Sequence, residues 1–194
     1  MPQGVRLIGN KTILRRIEEE DIPTLWNMIY GEKNPEWKKW DAPYFNLDYI
    51  DEDTFRNVTL KKLGNEIGGR LIIEANDQII GMVSYYWEHE PSRWLEVGIV
   101  IYLPEFWSKG YGSEALQQWI DYVFRVHPEI ERVGLTTWSG NRRMIKAAEN
   151  IGMQLEGRMR KCRYIDGTYY DSIRMGVLRA EWETQENLSA KLFE

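Results

Sequence analysis

The sequence contains one cysteine, Cys162, among 194 residues. This excludes an internal disulfide, so stability must come from a hydrophobic core, which a chain of this length can build. No apolar run approaches the length that crosses a membrane. Basic residues interrupt the apolar positions near the amino terminus, so no secretory signal is expected; they are Arg6, Lys11, Arg15 and Arg16. These features predict a cytoplasmic protein with no membrane partner.

The chain has no excess of positive charge, since its formal net charge is −5. Nucleic-acid binders that rely on general electrostatics are positively charged, so no nucleic-acid partner is expected. A negative protein suits a cationic substrate such as an amine. The segment Glu88-His89-Glu90 lacks the spaced further ligands of a metal centre, so a solvated loop is favoured and no metal is predicted.

Hydrophobic periodicity predicts a chain that contains both strands and helices. Two turn signals, Asn76-Asp77 and Asp166-Gly167, predict hairpins. Strands are predicted within 5–17 and at 70–75, 78–86, 94–103, 132–138, 157–165 and 168–178, and helices at 21–30, 51–63, after residue 110 and at 141–151. A single domain is expected over residues 1–182, followed by a tail at 183–194, which is predicted to be a short helix or a frayed end.

A glycine-containing turn lies between the predicted strand 94–103 and the helix after it. The first amides of a helix lack carbonyl partners and lie at the positive end of its dipole, so they favour a phosphate. Gly110 and Gly112 lack side chains that would keep a ligand off the main chain, and Lys109 adds a cation. A turn without any ligand is the alternative. The segment is not a Walker sequence, because no Gly-Lys-Ser/Thr triplet closes the turn. It is not a dinucleotide fingerprint either, because Ala115 stands at the third glycine position.

The segment from Trp107 to Gly112 resembles the acetyl-CoA loop of the GNAT family of N-acetyltransferases, Gln/Arg-x-x-Gly-x-Gly/Ala, with Trp in the first place. The pair Phe106-Trp107 is similar to the subfamily of ribosomal-protein and polyamine N-acetyltransferases, and the predicted order of elements matches the GNAT fold. This resemblance implies a mixed α+β fold with a mostly antiparallel central sheet flanked by helices. The resemblance implies acetyl-CoA as cosubstrate and an amine as acceptor, with direct attack in a ternary complex. The implied CoA-binding residues are Val100, Ile101, Tyr102, Ser108, Lys109, Gly110, Tyr111, Gly112, Ser113 and Asn141.

Two positions bear on proton transfer. Glu96 is the candidate base, because its interval to Trp107 equals that of the base glutamate in histone-type family members. Its apolar neighbours would desolvate it, and the alternatives are an outward-facing strand residue or a structural ion pair. Ala148 stands where many members carry the tyrosine that protonates the leaving sulfur. Water or another hydroxyl must then serve, or the chain binds CoA without catalysis.

Acceptor-binding residues are predicted in the loop between the first two helices. Trp37, Trp40 and Tyr44, with Phe45, could form an aromatic wall for a cation or an apolar group. The alternative is a loop folded onto the core. Glu88 is a further candidate for the acceptor site. Asn141 also has an alternative role, as a helix N-cap. A homodimer is possible, and the identity of the amine stays open.

Overall fold

The computed structural model describes residues 4–65 and 69–184, which form two compact units. One unit takes its residues from 1–84 and 99–118, and the other from 85–98 and 119–194. Three elements run from one unit into the other: the strands β4 (Gln78–His89) and β5 (Trp94–Ile101), and the helix α3 (Tyr111–Val126).

The first unit begins with the predicted hairpin, in which β1 (Arg6–Ile8) pairs antiparallel with β2 (Ile13–Arg15). Antiparallel pairing continues from β2 to β3 (Arg70–Ala75) and from β3 to β4. The helices α1 (Ile22–Tyr30) and α2 (Glu52–Asn65) lie between β2 and β3 in the chain. A core cluster joins these elements, and its buried members are Ile17, Leu25, Trp37, Ile72, Ile79 and Tyr102.

Two details of this unit differ from the sequence prediction. The helix α2 continues to Asn65, past the predicted stop at Gly64. Asp21 precedes α1 but makes no side-chain cap hydrogen bond. Its carboxylate instead accepts from Arg15 at 2.7 and 2.9 Å and from the Glu18 amide at 2.7 Å. The carboxylate thus completes the capping box of the short helical turn Glu19–Asp21 and pairs with Arg15, and it does not cap α1.

The second unit contains β6 (Arg132–Trp138), α4 (Arg142–Asn150), β7 (Gln154–Ile165) and β8 (Thr168–Leu178). β5 pairs parallel with β6, whereas β6–β8 and β7–β8 are antiparallel. The hairpin turn predicted at Asp166-Gly167 is confirmed, with φ of 46° and 80° at its two residues. The turn therefore has the positive φ angles that match the twist of the flanking strands.

The predicted fold class is confirmed, since the chain is a mixed α+β protein whose strand pairs are mostly antiparallel. The predicted apolar stripe of α3 is also confirmed by its buried side chains, Ala115, Leu116, Trp119, Ile120, Val123 and Phe124. Residues 179–184 are helical, and the tail from residue 185 onward lies outside the described residues. Within residues 4–65 and 69–184, no helix combines the length and apolarity that a membrane span needs.

Candidate functional site

The junction between β5 and α3 has the backbone geometry of an anion site. Ser108 and Gly110 both have positive φ, 57° and 90°, and α3 begins directly afterwards at Tyr111. The Glu114 amide donates to the Gly110 carbonyl at 3.0 Å. Among the described residues, the amides of residues 109 to 113 have no recorded acceptor. These donors, together with the positive end of a 16-residue helix, favour a phosphate group.

The two loop glycines lack a side chain for different reasons. Gly110 has a φ of 90°, a conformation that other residues adopt with strain. Gly112 has no such requirement, because an added Cβ would meet Ile101 Cγ1 at an ordinary 3.9 Å. The protein itself thus leaves room for a side chain at Gly112. The missing side chain fits a ligand that must approach the main chain there, as the pyrophosphate of CoA would.

Lys11 supplies a second cation at this loop, in addition to the predicted Lys109. Its Nζ donates to the Lys109 carbonyl at 2.9 Å and lies 5.8 Å from the centre of the Tyr111 ring. Glu114 holds the β1–β2 turn in this position, since its Oε1 accepts from the amides of Lys11 at 2.8 Å and Thr12 at 3.1 Å. The sequence indicated only a hairpin turn here, because its contact with α3 is made by residues about a hundred positions away.

The end of β5 is fixed by bonds within the protein. The Tyr102 amide donates to the Ile80 carbonyl at 2.8 Å, and the Ile101 carbonyl accepts from the Trp107 indole at 2.9 Å. A Cβ on Gly81 would collide with the Val100 carbonyl, so the two backbones approach closely. The predicted pairing of this strand end with CoA therefore cannot use the Tyr102 amide, which already has an acceptor.

The aromatic loop between α1 and α2 divides into a buried part and a part beside the CoA loop. Trp37 is 7% exposed, donates to the Met28 carbonyl at 3.0 Å and contacts Tyr102 edge-on at 5.2 Å. This is the core role that was the alternative to an acceptor wall. Trp40 is half-buried and contacts Trp107, with ring centres 6.5 Å apart. Tyr44 is half-buried and packs on the exposed Phe45 at 5.0 Å.

Asp41 follows Trp40 in this loop and was not singled out from the sequence. Its amide donates to the Trp37 carbonyl at 3.2 Å, and its carbonyl accepts from Lys38 Nζ at 2.8 Å. Burial raises the pKa of the Asp41 carboxyl, and the Lys38 ammonium opposes this only in part. Burial and then the Asp41 charge raise the pKa of the Tyr102 phenol, so this carboxylate acts on the residue that ends β5.

Glu96 lies in the second unit and is fully buried. Its Oε2 accepts from the Thr136 hydroxyl at 2.7 Å. Its Oε1 accepts from Arg174 at 3.3 Å and from the Trp94 indole at 3.4 Å, and lies 3.8 Å from Arg132. Glu96 therefore takes part in an ion-pair network, the structural alternative named above. Whether it also moves a proton is a separate question, because ion pairing alone does not exclude it.

Tyr86 and Glu88 extend the interactions around Glu96. Burial, followed by the charges of Glu96 and Glu88, raises the pKa of Tyr86 to about 12. Glu88, predicted near the acceptor, lies 3.9 Å from Arg174. His89 contacts the Ser92 hydroxyl at 2.9 Å, and no cluster of three or more potential metal ligands occurs among the described residues.

Glycines make room for the arginine of this network. Gly134 and Gly176 face each other in the β6–β8 register. A Cβ on Gly134 would collide with the Arg132 guanidinium, and a Cβ on Gly176 with the Glu156 carboxylate. The Arg132–Glu156 ion pair, in which Arg132 Nε donates at 2.9 Å, thus lies over a strip of sheet without side chains.

The α4 region contains the residues expected to serve the pantetheine arm and the leaving sulfur. Asn141 is the N-cap of α4, accepting from the Met144 amide at 3.1 Å, as its alternative role predicted. Ala148 is fully buried, so no water reaches the side chain that replaces the tyrosine. The Ser139 hydroxyl accepts from the Asp171 amide at 3.0 Å. Tyr164 and Tyr169 are mostly exposed and pack on each other, 4.9 Å apart.

Comparison with known proteins identifies the domain. The family model described as an acetyltransferase (GNAT) domain matches residues 11–154. The chain is 27% identical over 183 residues to the putative ribosomal N-acetyltransferase YdaF of Bacillus subtilis (strain 168), covering 92% of this chain and 97% of that protein. It is 23% identical over 176 residues to a spermidine N(1)-acetyltransferase of Vibrio cholerae, covering 90% and 97%.

A solved structure supports the same fold. The crystal structure of spermidine N-acetyltransferase from Vibrio cholerae in complex with CoA and spermine superposes with a TM-score of 0.73 at 21% identity, covering 90% of this chain and 99% of that one. These matches confirm the fold and the resemblance inferred from the loop.

Proposed function

This chain belongs to the GNAT family of acetyltransferases, and we propose that it transfers the acetyl group of acetyl-CoA to a primary amine by direct attack in a ternary complex. The acceptor is a protein amino terminus or a small-molecule amine. The names of the relatives support both classes, since they include a putative ribosomal and a spermidine acetyltransferase. The net charge of −5 favours a cationic acceptor.

The observation that carries the proposal is the start of α3. Acetyl-CoA supplies the thioester whose carbonyl carbon the amine attacks. The amides of residues 109 to 113 are available to bind its pyrophosphate, and Lys11 and Lys109 add positive charge. Gly112 leaves the main chain open to the ligand. A helix start with unpartnered amides and two nearby lysines fits a pyrophosphate on the grounds of hydrogen bonding and charge.

For the amine proton, we propose Glu96 as the acceptor, directly or through a water molecule. Its complete burial supports this, because bulk water does not compete with an amine for the carboxylate oxygens. Its bonds to Thr136 and Arg174 support the competing structural role. A glutamine at this position separates the two roles, as described in the Discussion.

A CoA-binding module without catalysis is the second candidate. The observation that favours it is Ala148, whose buried methyl group cannot protonate a leaving thiolate. In that case the chain would bind acetyl-CoA without transferring its acetyl group to any amine.

The deciding experiment incubates the purified chain with acetyl-CoA and each of three amines: spermidine, benzylamine and a short peptide with a free amino terminus. Release of CoA thiol and the acetylated product by mass spectrometry are measured together. Acetylation of at least one amine above the uncatalysed rate is expected. Tight CoA binding by calorimetry with no acetylated product would favour the binding module instead.

The remaining features of the proposal concern the whole protein. We propose that residues 1–182 act as one catalytic domain in the cytoplasm, as a homodimer that needs neither nucleic acid nor membrane. The single cysteine supports an intracellular location, since disulfides are typical of secreted proteins. Light scattering at micromolar concentration tests the dimer.

A further inference from the structure

Asp41 is a carboxylate placed for binding rather than for stability. In the described part of the chain, its carboxylate oxygens have no recorded hydrogen bond or ion pair, although the residue is half-buried. Its oxygens are not among the buried side-chain atoms that lack a partner, so they stay open to solvent and to a ligand although burial acts on the carboxyl as a whole. Such a group is most simply explained by a ligand that supplies the missing partner.

The nearest cation does not fill this role. Lys38 Nζ donates to the carbonyls of Asp41 at 2.8 Å and Ala42 at 3.1 Å, and makes no ion pair with the Asp41 carboxylate among the described contacts. These bonds instead fix the backbone at Ala42, which has a φ of 42°. The lysine thereby holds the loop in one conformation and leaves the carboxylate available.

The loop around Asp41 is anchored on both sides and at its aromatic residues. Trp37 donates to the Met28 carbonyl of α1, and Trp26 donates to the Ile50 carbonyl at 2.9 Å. Trp37 contacts Tyr102 and Trp40 contacts Trp107, the residues on either side of the short helical turn Pro104–Phe106 that precedes the CoA loop. Asp41 is therefore held beside the segment that leads into the loop, within the same compact unit.

We propose that Asp41 binds the ammonium group of the acceptor and that the half-buried ring of Trp40 packs beside it. The inference rests on the proposed acetyltransferase function and assigns the residue that recognises the positive charge of the acceptor. An ammonium would supply both the charge and the hydrogen-bond donors that the carboxylate lacks. The indole of Trp40, the preceding residue in the chain, would attract the same group through cation–π interaction.

This assignment has a pH dependence with a definite sign. The carboxylate must be ionised to bind a cation, and its pKa is raised by burial. Amine affinity should therefore fall as the pH decreases, starting at a higher pH than for an ordinary aspartate. The charged or titratable groups that act on the site are Lys38 beside Asp41 and Tyr102 across from it, with Arg70 and Tyr30 acting on Tyr102.

The test compares Asp41→Asn with Asp48→Asn, a change at an exposed aspartate of the same loop. Binding of spermidine, benzylamine and the peptide to the enzyme–CoA complex is measured by calorimetry, and KM and kcat are measured for any amine that is acetylated. Asp41→Asn should weaken amine binding and raise KM about 30-fold, the usual scale of a lost charge-assisted hydrogen bond. CoA affinity and kcat at saturating amine should stay within about threefold, and Asp48→Asn should match wild type. Asp41→Glu should restore part of the affinity.

Each result bears on a different claim. Wild-type amine affinity in folded Asp41→Asn would overturn the role of Asp41 and leave the acetyltransferase function intact. Amine binding that depends on Asp41 without any acetylation would instead overturn the function. If Asp41→Asn does not fold, the pH profile of amine binding to the wild-type complex decides, because affinity that stays flat down through the ordinary aspartate pKa of about 3.9 would exclude a carboxylate. Failure of all three amines to bind the wild-type complex would overturn the proposal as well.

Discussion

Glu96 and Asp41 are both carboxylates withdrawn from water, and each lies in a different compact unit. Glu96 receives hydrogen bonds from Thr136, Trp94 and Arg174. The Asp41 carboxylate has no recorded partner within the described residues. Burial of a charge is tolerated when its bonds are made and costly when they are not. Burial alone is therefore a poor guide to function, and the count of satisfied bonds separates the two residues.

The same contrast holds for backbone groups. The amides at the start of α3 have no recorded acceptor, whereas the N-cap Asn141 satisfies the Met144 amide of α4. Two helices of one protein thus begin in opposite ways, one closed by a side chain and one open. Substitutions on the open side should affect ligand binding first, and those on the closed side should affect stability first.

The largest effect is expected from Gly112→Val on the open side. The added side chain has room within the protein but would hold a pyrophosphate off the main chain, so CoA affinity should fall by at least about 100-fold. Calorimetry measures the affinity, and the melting temperature should change little. Gly157→Val is the matched control, since its Cβ would also make an ordinary contact, at 3.7 Å from Arg174. Unchanged CoA affinity in folded Gly112→Val would exclude this loop as the CoA site.

Glu96→Gln tests whether a carboxylate that already accepts hydrogen bonds within the protein can also be catalytic. Turnover at saturating substrates should fall by about 100-fold, the usual contribution of a positioned base, with little change in acetyl-CoA binding. The melting temperature should also fall by roughly 5 °C, because Arg174 and Arg132 lose a charged partner. A lower melting temperature with wild-type turnover across pH would assign Glu96 a purely structural role.

Asp21→Asn tests a carboxylate of the first unit whose hydrogen bonds are made within the protein. Burial would raise the pKa of Asp21, but the Arg15 guanidinium and the Glu18 amide outweigh it, so the pKa is lowered. The stability that this carboxylate contributes is thus present above the unfolded-state pKa of about 4 and is lost as the pH falls through the lower folded-state value. The substitution should cost about 2 kcal/mol at pH 7 and less at pH 3.

Urea unfolding at both pH values measures this difference. Glu20→Gln is its control, because Glu20 is exposed in the same helical turn. An Asp21→Asn cost that is equal at pH 7 and pH 3 would show that the lost packing, and not the charge, matters.

The smallest effects are expected around Ala148. If water protonates the departing thiolate, no single hydroxyl is essential, and Ser139→Ala, Tyr164→Phe and Tyr169→Phe should each keep turnover within roughly tenfold. The buried Ala148 gives water no access at that position, so the water must approach the sulfur elsewhere. A much larger loss in one variant with CoA affinity intact would identify that hydroxyl as the acid.

Most of the fold and the backbone geometry of the β5–α3 junction could be predicted from the sequence, because these features depend on local patterns. The strand Arg132–Trp138 and the hairpin at Asp166-Gly167 follow from alternation and from turn chemistry that few residues can provide. The loop was likewise visible in the two glycines at a helix start. Local patterns of this kind predict the folded structure correctly when no contact with a distant residue overrides them.

The missed features depend on contacts between distant parts of the chain. Lys11 Nζ donates to the Lys109 carbonyl, and Asp21 pairs with Arg15 and does not cap α1. Asp41 shows no pattern of its own, since its significance comes from burial and from a lysine that turns to the main chain. Trp37 and Trp40 look equivalent in sequence, but one lies in the core and the other beside Trp107. Only packing distinguishes them.

The facing glycines of β6 and β8 limit how this sheet can change by mutation. An alanine at Gly134 must displace Arg132, and an alanine at Gly176 must displace Glu156. Neither glycine has a positive φ, so the ion pair above them, and not the backbone, sets the constraint. The colliding atoms are the far ends of two flexible, partly exposed side chains, so each single replacement should cost little more than the ion pair that moves aside. The cost should vanish once Arg132 and Glu156 have been shortened, so the effect of an alanine at either glycine depends on which side chains lie above it.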